Sequence, residues 1–155
     1  YKSTFQLVHL LVDIVGKGGN LLLNVGPQPD GQLPAGALER MREIGDWMRV
    51  NGDAIYGTRP IAPYKEGQVV FTHKGDDVYA IYLTEKEGAG LPYRVLFSGL
   101  KPRPGSKIYL LGVKQPMAWE TLPNGTTRVE IPEAVAKTPP CQNAFAFRFQ
   151  LAQER

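Results

Sequence analysis

Cysteine and histidine are nearly absent: one Cys, at position 141, and two His, at positions 9 and 73, in 155 residues. A lone thiol forms no internal disulfide and anchors no cysteine-based metal site. The histidines stand far apart in the chain, and neither lies at metal-ligand spacing from a partner. No apolar run approaches the roughly 20 residues that a membrane-spanning helix needs, and Tyr1-Lys2-Ser3-Thr4 lacks the apolar core of a signal peptide. There is no Gly-x-Ser-x-Gly, and Cys141 follows Pro139-Pro140 with no histidine near it in sequence, so serine and cysteine nucleophile signatures are missing. The glycines of Gly16-Lys17-Gly18-Gly19 precede an apolar run, whereas nucleotide-binding glycine loops follow a strand and open a helix.

Charge is also unclustered. The net value is +3, with 5 Lys+Arg against 6 Asp+Glu before Gly57 and 13 against 9 from there on. The basic excess is spread singly, at Lys65, Lys74, Lys86, Arg94, Lys101, Arg103, Lys107 and Lys114. That is a solvated face and not a phosphate-binding stripe. No nucleic-acid partner and no membrane partner is expected.

What is present is ordinary globular material, 43% hydrophobic and 21% charged, sufficient for one good core or two small ones. Ser3 and Gln6 form a capping-box pattern ahead of a run with apolar residues at Phe5, Leu7, Val8, Leu10, Leu11, Val12, Ile14 and Val15, which predicts a helix ending at Gly16. A helix so apolar all round belongs between a sheet and something else. Leu21 to Val25, broken only by Asn24 and bounded by glycines, reads as a short strand buried on both faces. Such strands belong to parallel sheets, where each neighbour requires a crossover of a dozen or more residues, and this chain supplies none. The opening third is therefore expected to be an edge of a larger α/β domain. Gly26-Pro27-Gln28-Pro29-Asp30-Gly31 is a stiff loop. Pro34 suits a helix's first turn, and Leu38, Met41, Ile44, Gly45 and Met48 mark the apolar face of a helix running to about Val50.

From Gln68 the period becomes two. Alternating runs at 69–73, 78–84, 93–98, 107–111, 117–121, 126–131 and 144–151, with hairpin signals at Gly75-Asp76-Asp77 and Asn124-Gly125, predict seven short strands in an antiparallel β-sandwich. Phe145, Phe147, Phe149 and Leu151 share one face of the last strand, with Ala146, Arg148 and Gln150 on the other.

Four blocks, Leu11-Val12-Asp13-Ile14-Val15, Gly18-Gly19-Asn20-Leu21-Leu22-Leu23-Asn24-Val25-Gly26-Pro27, Pro29-Asp30-Gly31 and Asn51-Gly52-Asp53-Ala54-Ile55-Tyr56-Gly57-Thr58-Arg59-Pro60, together resemble the end of the catalytic barrel in α-L-fucosidases of glycoside hydrolase family 29. The resemblance implies α/β then all-β architecture: residues 1–59 as the terminal portion of a (β/α)8-type barrel, and residues 60–155 as the antiparallel β-sandwich that follows it. It further implies that the parent is a retaining fucosidase acting on fucosylated glycans, with no metal or organic cofactor. The partners of this chain would be that substrate and the rest of the barrel. A non-catalytic sandwich that binds carbohydrate or serves as a scaffold is the alternative.

A retaining glycosidase needs two carboxyl groups about 5 Å apart. In the family both precede the matched blocks, so no catalytic residue is assigned here. Asp30, in the loop after the strand, reads first as an Asp-Gly turn residue, and Asp13 and Asp53 as helix-associated groups that cap or bond backbone. Asn24 lies near the strand's C-terminal end, where barrel enzymes keep their substrate contacts. Its amide either bonds a sugar hydroxyl or ties neighbouring loops together. Asn20, at the strand's start, reads as structural. Tyr79, Tyr82, Tyr93, Tyr109 and Trp119 offer either core packing or a stacking platform for sugar rings. Tyr79 and Tyr82 fall on opposite faces of one strand.

Overall fold

The computed structural model describes residues 1–152. Its elements, in order, are α1 (Thr4–Gly16), α2 (Ala35–Asn51), a 3₁₀ turn (Gly52–Ala54), β1 (Arg59–Glu66), β2 (Val69–Lys74), β3 (Asp77–Leu83), β4 (Arg94–Phe97), β5 (Tyr109–Leu110), β6 (Ala118–Thr121), β7 (Thr127–Glu130), α3 (Glu133–Lys137) and β8 (Ala144–Gln150). Two antiparallel sheets form, β1-β2-β3-β8-β5 and β4-β7-β6. All seven expected strands are present. The run at 107–111 retains only Tyr109–Leu110 as strand, with Ile108 bridged singly to Met117.

Alternation along the strands produces two cores, one on each face of the larger sheet. Phe71, Phe97, Phe145, Phe147 and Phe149 fill the space between the sheets with Val95, Ile108, Leu110 and Val129. Phe97 stacks on Phe149 (centroids 5.4 Å apart) and meets Phe71 edge-on at 5.8 Å. The opposite face carries Val70, Ile81, Ala144 and Ala146, against which Val8 and Val12 of α1 and Trp47 of α2 pack. Small alanines at alternate positions of β8 leave room for the Trp47 indole, whose N–H donates to the Ala144 carbonyl at 3.0 Å. The expected capping box closes the start of α1: Gln6 N–H donates to Ser3 Oγ at 3.2 Å, and Ser3 N–H to Gln6 Oε1 at 2.9 Å.

Four features differ from expectation. Leu21–Val25 joins no ladder among the described residues, and Leu22 is 84% exposed. The reason is the lack of strand neighbours, without which an apolar segment gains neither ladder bonds nor cover. The extra strand β1, with Pro60 and Pro63, lies before the first of the seven expected strands. Its register shifts between Pro60 and Lys65, and an edge position tolerates residues that cannot donate. α2 begins after Pro34, and it turns Ala37, Trp47 and Asn51 to the sheet, not the whole Leu38–Met48 stripe; Met41 is 48% exposed. Met41, Ile44, Gly45 and Met48 line an open apolar groove with Leu23 and Tyr56. The short α3 follows Pro132 and has no buried residue to signal it.

Two packing contacts carry checkable consequences. α1 comes so close to β2 that a Cβ added at Gly16 would lie 2.4 Å from Val70 Cγ1. Gly16→Ala will therefore lower the thermal midpoint, the overpacking of about 1–3 kcal/mol outweighing a helix-propensity gain of about 1 kcal/mol. In a Val70→Ala background that loss will disappear, as a double-mutant cycle by urea unfolding will show.

His9 Nε2 lies 2.8 Å from the Asn143 carbonyl, so this nitrogen carries the proton and donates. Burial lowers the His9 pKa below its usual 6.5, the bond to Asn143 raises it and Lys65 lowers it further. The folded chain thus takes up the proton at a lower pH than the unfolded chain, and stability falls as pH drops through the interval just below 6.5. His9→Gln retains a donor but cannot titrate, so its urea midpoint will decline less between pH 7.5 and 5.5 than that of the wild type.

Candidate functional site

Asn24 sits in Leu23-Asn24-Val25-Gly26, which crosses in front of α1 and α2 and bounds a cleft of about 260 Å³ with Tyr1, Lys2, Leu7, Ala37, Arg40 and Met41. Arg40 fixes one wall. Its Nε donates to the Lys2 carbonyl at 3.0 Å, while its terminal nitrogen lies 3.6 Å from both Glu39 and Glu43. Asn24 is exposed and makes no hydrogen bond to a described residue, leaving its carbonyl and amide N–H groups available. Asn20 is exposed as well, at the other end of the segment.

The carboxylates weighed from sequence do not converge. Asp30 Oδ1 accepts from the Gln32 backbone N–H at 3.0 Å, a turn-residue arrangement. Asp13 pairs with Lys17 at 2.8 Å and, more distantly, with Lys65 at 3.9 Å, so it bonds side chains and not backbone. Asp53 stands in the 3₁₀ turn. A second cleft, of about 460 Å³ between α1, α2 and the segment before β8, holds carboxylates that sequence reasoning did not single out, Glu43, Asp46 and Glu87. Thr4 donates to Glu43 and Arg49 to Asp46, so both are engaged in surface contacts. Their helical positions gave no motif to find.

Cys141 borders that cleft. Burial pushes its thiol up to about 11, offset in part by a bond from the Asn51 amide, and its S–H donates to the Ala144 carbonyl at 3.1 Å. A thiol held protonated in this way packs and bonds but does not attack. No group of three or more His, Cys, Asp or Glu arranged to hold a metal ion occurs among the described residues. No helix among them is long and apolar enough to cross a membrane.

The candidate aromatic platform is dispersed. Tyr79 is buried against the helices and Tyr82 is half-buried on the inter-sheet core, which confirms their opposite faces. The Trp119 indole packs on the inter-sheet core and donates to the Ser106 carbonyl at 2.8 Å, and Tyr109 lies beneath Arg148. Tyr93, at 58% exposure, stands open to solvent.

Comparison with known proteins agrees with the four sequence blocks. The family model described as Alpha-L-fucosidase matches residues 1–53. The α-L-fucosidase of Branchiostoma floridae is 36% identical over 153 residues, covering 97% of this chain and 33% of that protein. The plasma α-L-fucosidase of Homo sapiens is 34% identical over 155 residues, covering 94% and 32%. Among solved structures, the Thermotoga maritima α-fucosidase in complex with fucose superposes with a TM-score of 0.79 at 30% identity, over 96% of this chain and 34% of that one. The α-L-fucosidase isoenzyme 1 from Paenibacillus thiaminolyticus gives 0.77 at 32%, over 99% and 35%. The chain spans about a third of the length of these relatives. With the sandwich, the unpaired Leu21–Val25 segment and the matched opening region all pointing the same way, the chain corresponds to the C-terminal part of an α-L-fucosidase of glycoside hydrolase family 29.

Proposed function

We propose that this chain completes the catalytic barrel of a retaining α-L-fucosidase that removes terminal α-L-fucose from glycans, and is itself inactive. The observation that carries this reading is the segment Leu21–Val25. It is apolar, it stands outside every ladder among the described residues, and it borders a groove in which Leu23, Met41 and Tyr56 are all exposed. Exposed apolar surface of this kind beside an unpaired strand sequence fits burial against further barrel strands and helices. The full protein would then hold Leu21–Val25 as a parallel strand, with residues 1–59 belonging to the barrel and the sandwich following from residue 60.

In such an enzyme one carboxylate attacks the anomeric carbon and forms a fucosyl–enzyme ester, while a second carboxyl group protonates the departing glycosidic oxygen. The second group then deprotonates the water that hydrolyses the ester, about 5 Å separating the pair. The backbone bond that Asp30 accepts within its turn and the Asp13–Lys17 ion pair support a structural role for both, and Asp53 lies in the 3₁₀ turn. The catalytic pair belongs to the remainder of the barrel. Asn24 contributes a substrate contact. It lies near the C-terminal end of its strand sequence, the end at which barrel active sites are built, and its amide is unengaged. The Thermotoga maritima relative was solved in complex with fucose, which agrees with a substrate of that class.

Turnover of an aryl α-L-fucoside tests this directly. The full-length protein will hydrolyse it and the isolated 155 residues will not. Asn24→Ala in the full-length protein will lower kcat/KM about fivefold to 150-fold, the loss expected when a hydrogen bond of about 1–3 kcal/mol to substrate is removed, with the thermal midpoint unchanged. Turnover by the isolated chain, or a silent full-length protein, would refute the reading.

A further inference from the structure

The helices cover the larger sheet only in part. Where β3 begins and β8 ends, the face that elsewhere carries Ile81, Ala144 and Ala146 turns polar. Tyr79 and Tyr109 each stand directly across from Arg148, and Asp77 across from Gln150. These residues share one face of the sheet. With Ser106 and Lys107 of the segment leading into β5, Asp77, Tyr109, Arg148 and Gln150 line an open cleft of about 460 Å³. That volume suits one or two sugar rings.

Arg148 is the centre of this cleft. It projects from an interior strand, and its guanidinium carbon lies 5.2 Å from the centroid of the Tyr109 ring. Stacking against the ring orients the planar cation and leaves its edge N–H groups free for a planar anion. Among the described residues neither Arg148 nor Lys107 meets a carboxylate within 4.0 Å, and neither donates a hydrogen bond. By contrast, Arg128, half-buried on the other sheet, is held by both Glu120 and Glu130. Gln150 is positioned by Arg103, which donates to its Oε1 at 3.0 Å. The single carboxylate lining the cleft is that of Asp77, which has no cationic partner within 4.0 Å among the described residues. Asp77 and Arg148 act in opposite senses on the Tyr79 hydroxyl, whose pKa is raised by burial first, then by Asp77 and Asp53, and lowered by Arg148.

Two unpaired cations and one unpaired carboxylate around a ring-sized space describe a ligand with one negative charge and several hydroxyls. We propose that this cleft is a second glycan subsite that binds an acidic sugar, a uronic or sialic acid residue. Its carboxylate pairs with Arg148 and Lys107, and its ring hydroxyls donate to Asp77. A bare anion would satisfy the cations while leaving Asp77 as a repulsive neighbour; a neutral sugar would leave both cations unused. The subsite lies on the sandwich, apart from Asn24, and rests on the reading that the full protein acts on glycans.

Calorimetric or NMR titration of the 155-residue chain and of the full-length protein with glucuronic acid, N-acetylneuraminic acid, glucose and inorganic sulfate tests this. At least one acidic sugar will bind tenfold or more tightly than glucose or sulfate, and its binding will weaken as salt rises. Arg148→Gln and Lys107→Gln, the second at an exposed position, will each weaken it fivefold or more. Both variants in the full-length protein will leave turnover of a simple aryl α-L-fucoside unchanged. Equal binding of sulfate and acidic sugar would reduce the cleft to an anion site and overturn the proposal, as would binding of no acidic sugar, or Lys107→Gln binding like wild type. Because binding is read separately from turnover, a full-length protein that binds acidic sugar but cleaves no fucoside would sink the fucosidase reading alone.

Discussion

Strand β8 is the constraint on which the rest of this structure depends. It runs through the interior of the larger sheet, paired with β3 on one side and β5 on the other, and is buried on both faces over most of its length. Its side chains divide by size. Phe145, Phe147 and Phe149 fill the space between the two sheets, while Ala144 and Ala146 lie flat beneath the helices. The two-residue period of a strand forces this division, and the volumes on the two sides fix what each face can accept. Aromatic side chains on one face hold a second sheet at a distance. Alanines on the other let Trp47 approach until its indole N–H reaches a β8 carbonyl.

The join between the helical opening and the sandwich is built on the same strand's first residue and the one before it. The carbonyl of Asn143 accepts from His9 Nε2, from the Thr84 hydroxyl at 3.0 Å and from the Thr84 backbone N–H at 3.2 Å. The carbonyl of Ala144 accepts from Trp47 and Cys141. Elements far apart in the chain thus meet on two adjacent carbonyl groups in a part-buried setting, where unmet polar groups cost most. Such a seam keeps α1 and α2 on the sheet while their other apolar residues, Leu10, Met41 and the neighbouring Leu22 and Leu23, remain exposed. The helix layer is thus clamped from one side and carries exposed apolar residues on the other.

This arrangement separates the two proposed glycan contacts of the molecule. Asn24 belongs to the segment that borders α1 and α2, and the Arg148 cleft to β3, β5 and β8 of the larger sheet. The contact proposed for Asn24, a single exposed amide, would need the remaining barrel to form its pocket. A cleft made from cross-strand neighbours of one sheet is assembled entirely by the sandwich and depends only on its register.

The sequence by itself determined the elements whose signal is local. Seven strands follow from period-two alternation, α1 from its capping box and the β6–β7 hairpin from Asn124-Gly125, because side-chain direction and turn geometry are set by neighbouring residues. The sequence also showed that Leu21–Val25 needs strand neighbours this chain does not supply, and four consecutive blocks identified the family. Tertiary structure decided what depends on partners distant in the chain. β1 exists because an edge position accepts Pro60 and Pro63, which read locally as breakers. The buried face of α2 is set by the space above Ala144 and Ala146, so Trp47 turns inward and Met41 outward, against the stripe its own spacing suggests. Arg148, Tyr109 and Asp77 stand on three different strands, and only pairing through β8 brings them together: no spacing along the chain records a register between strands.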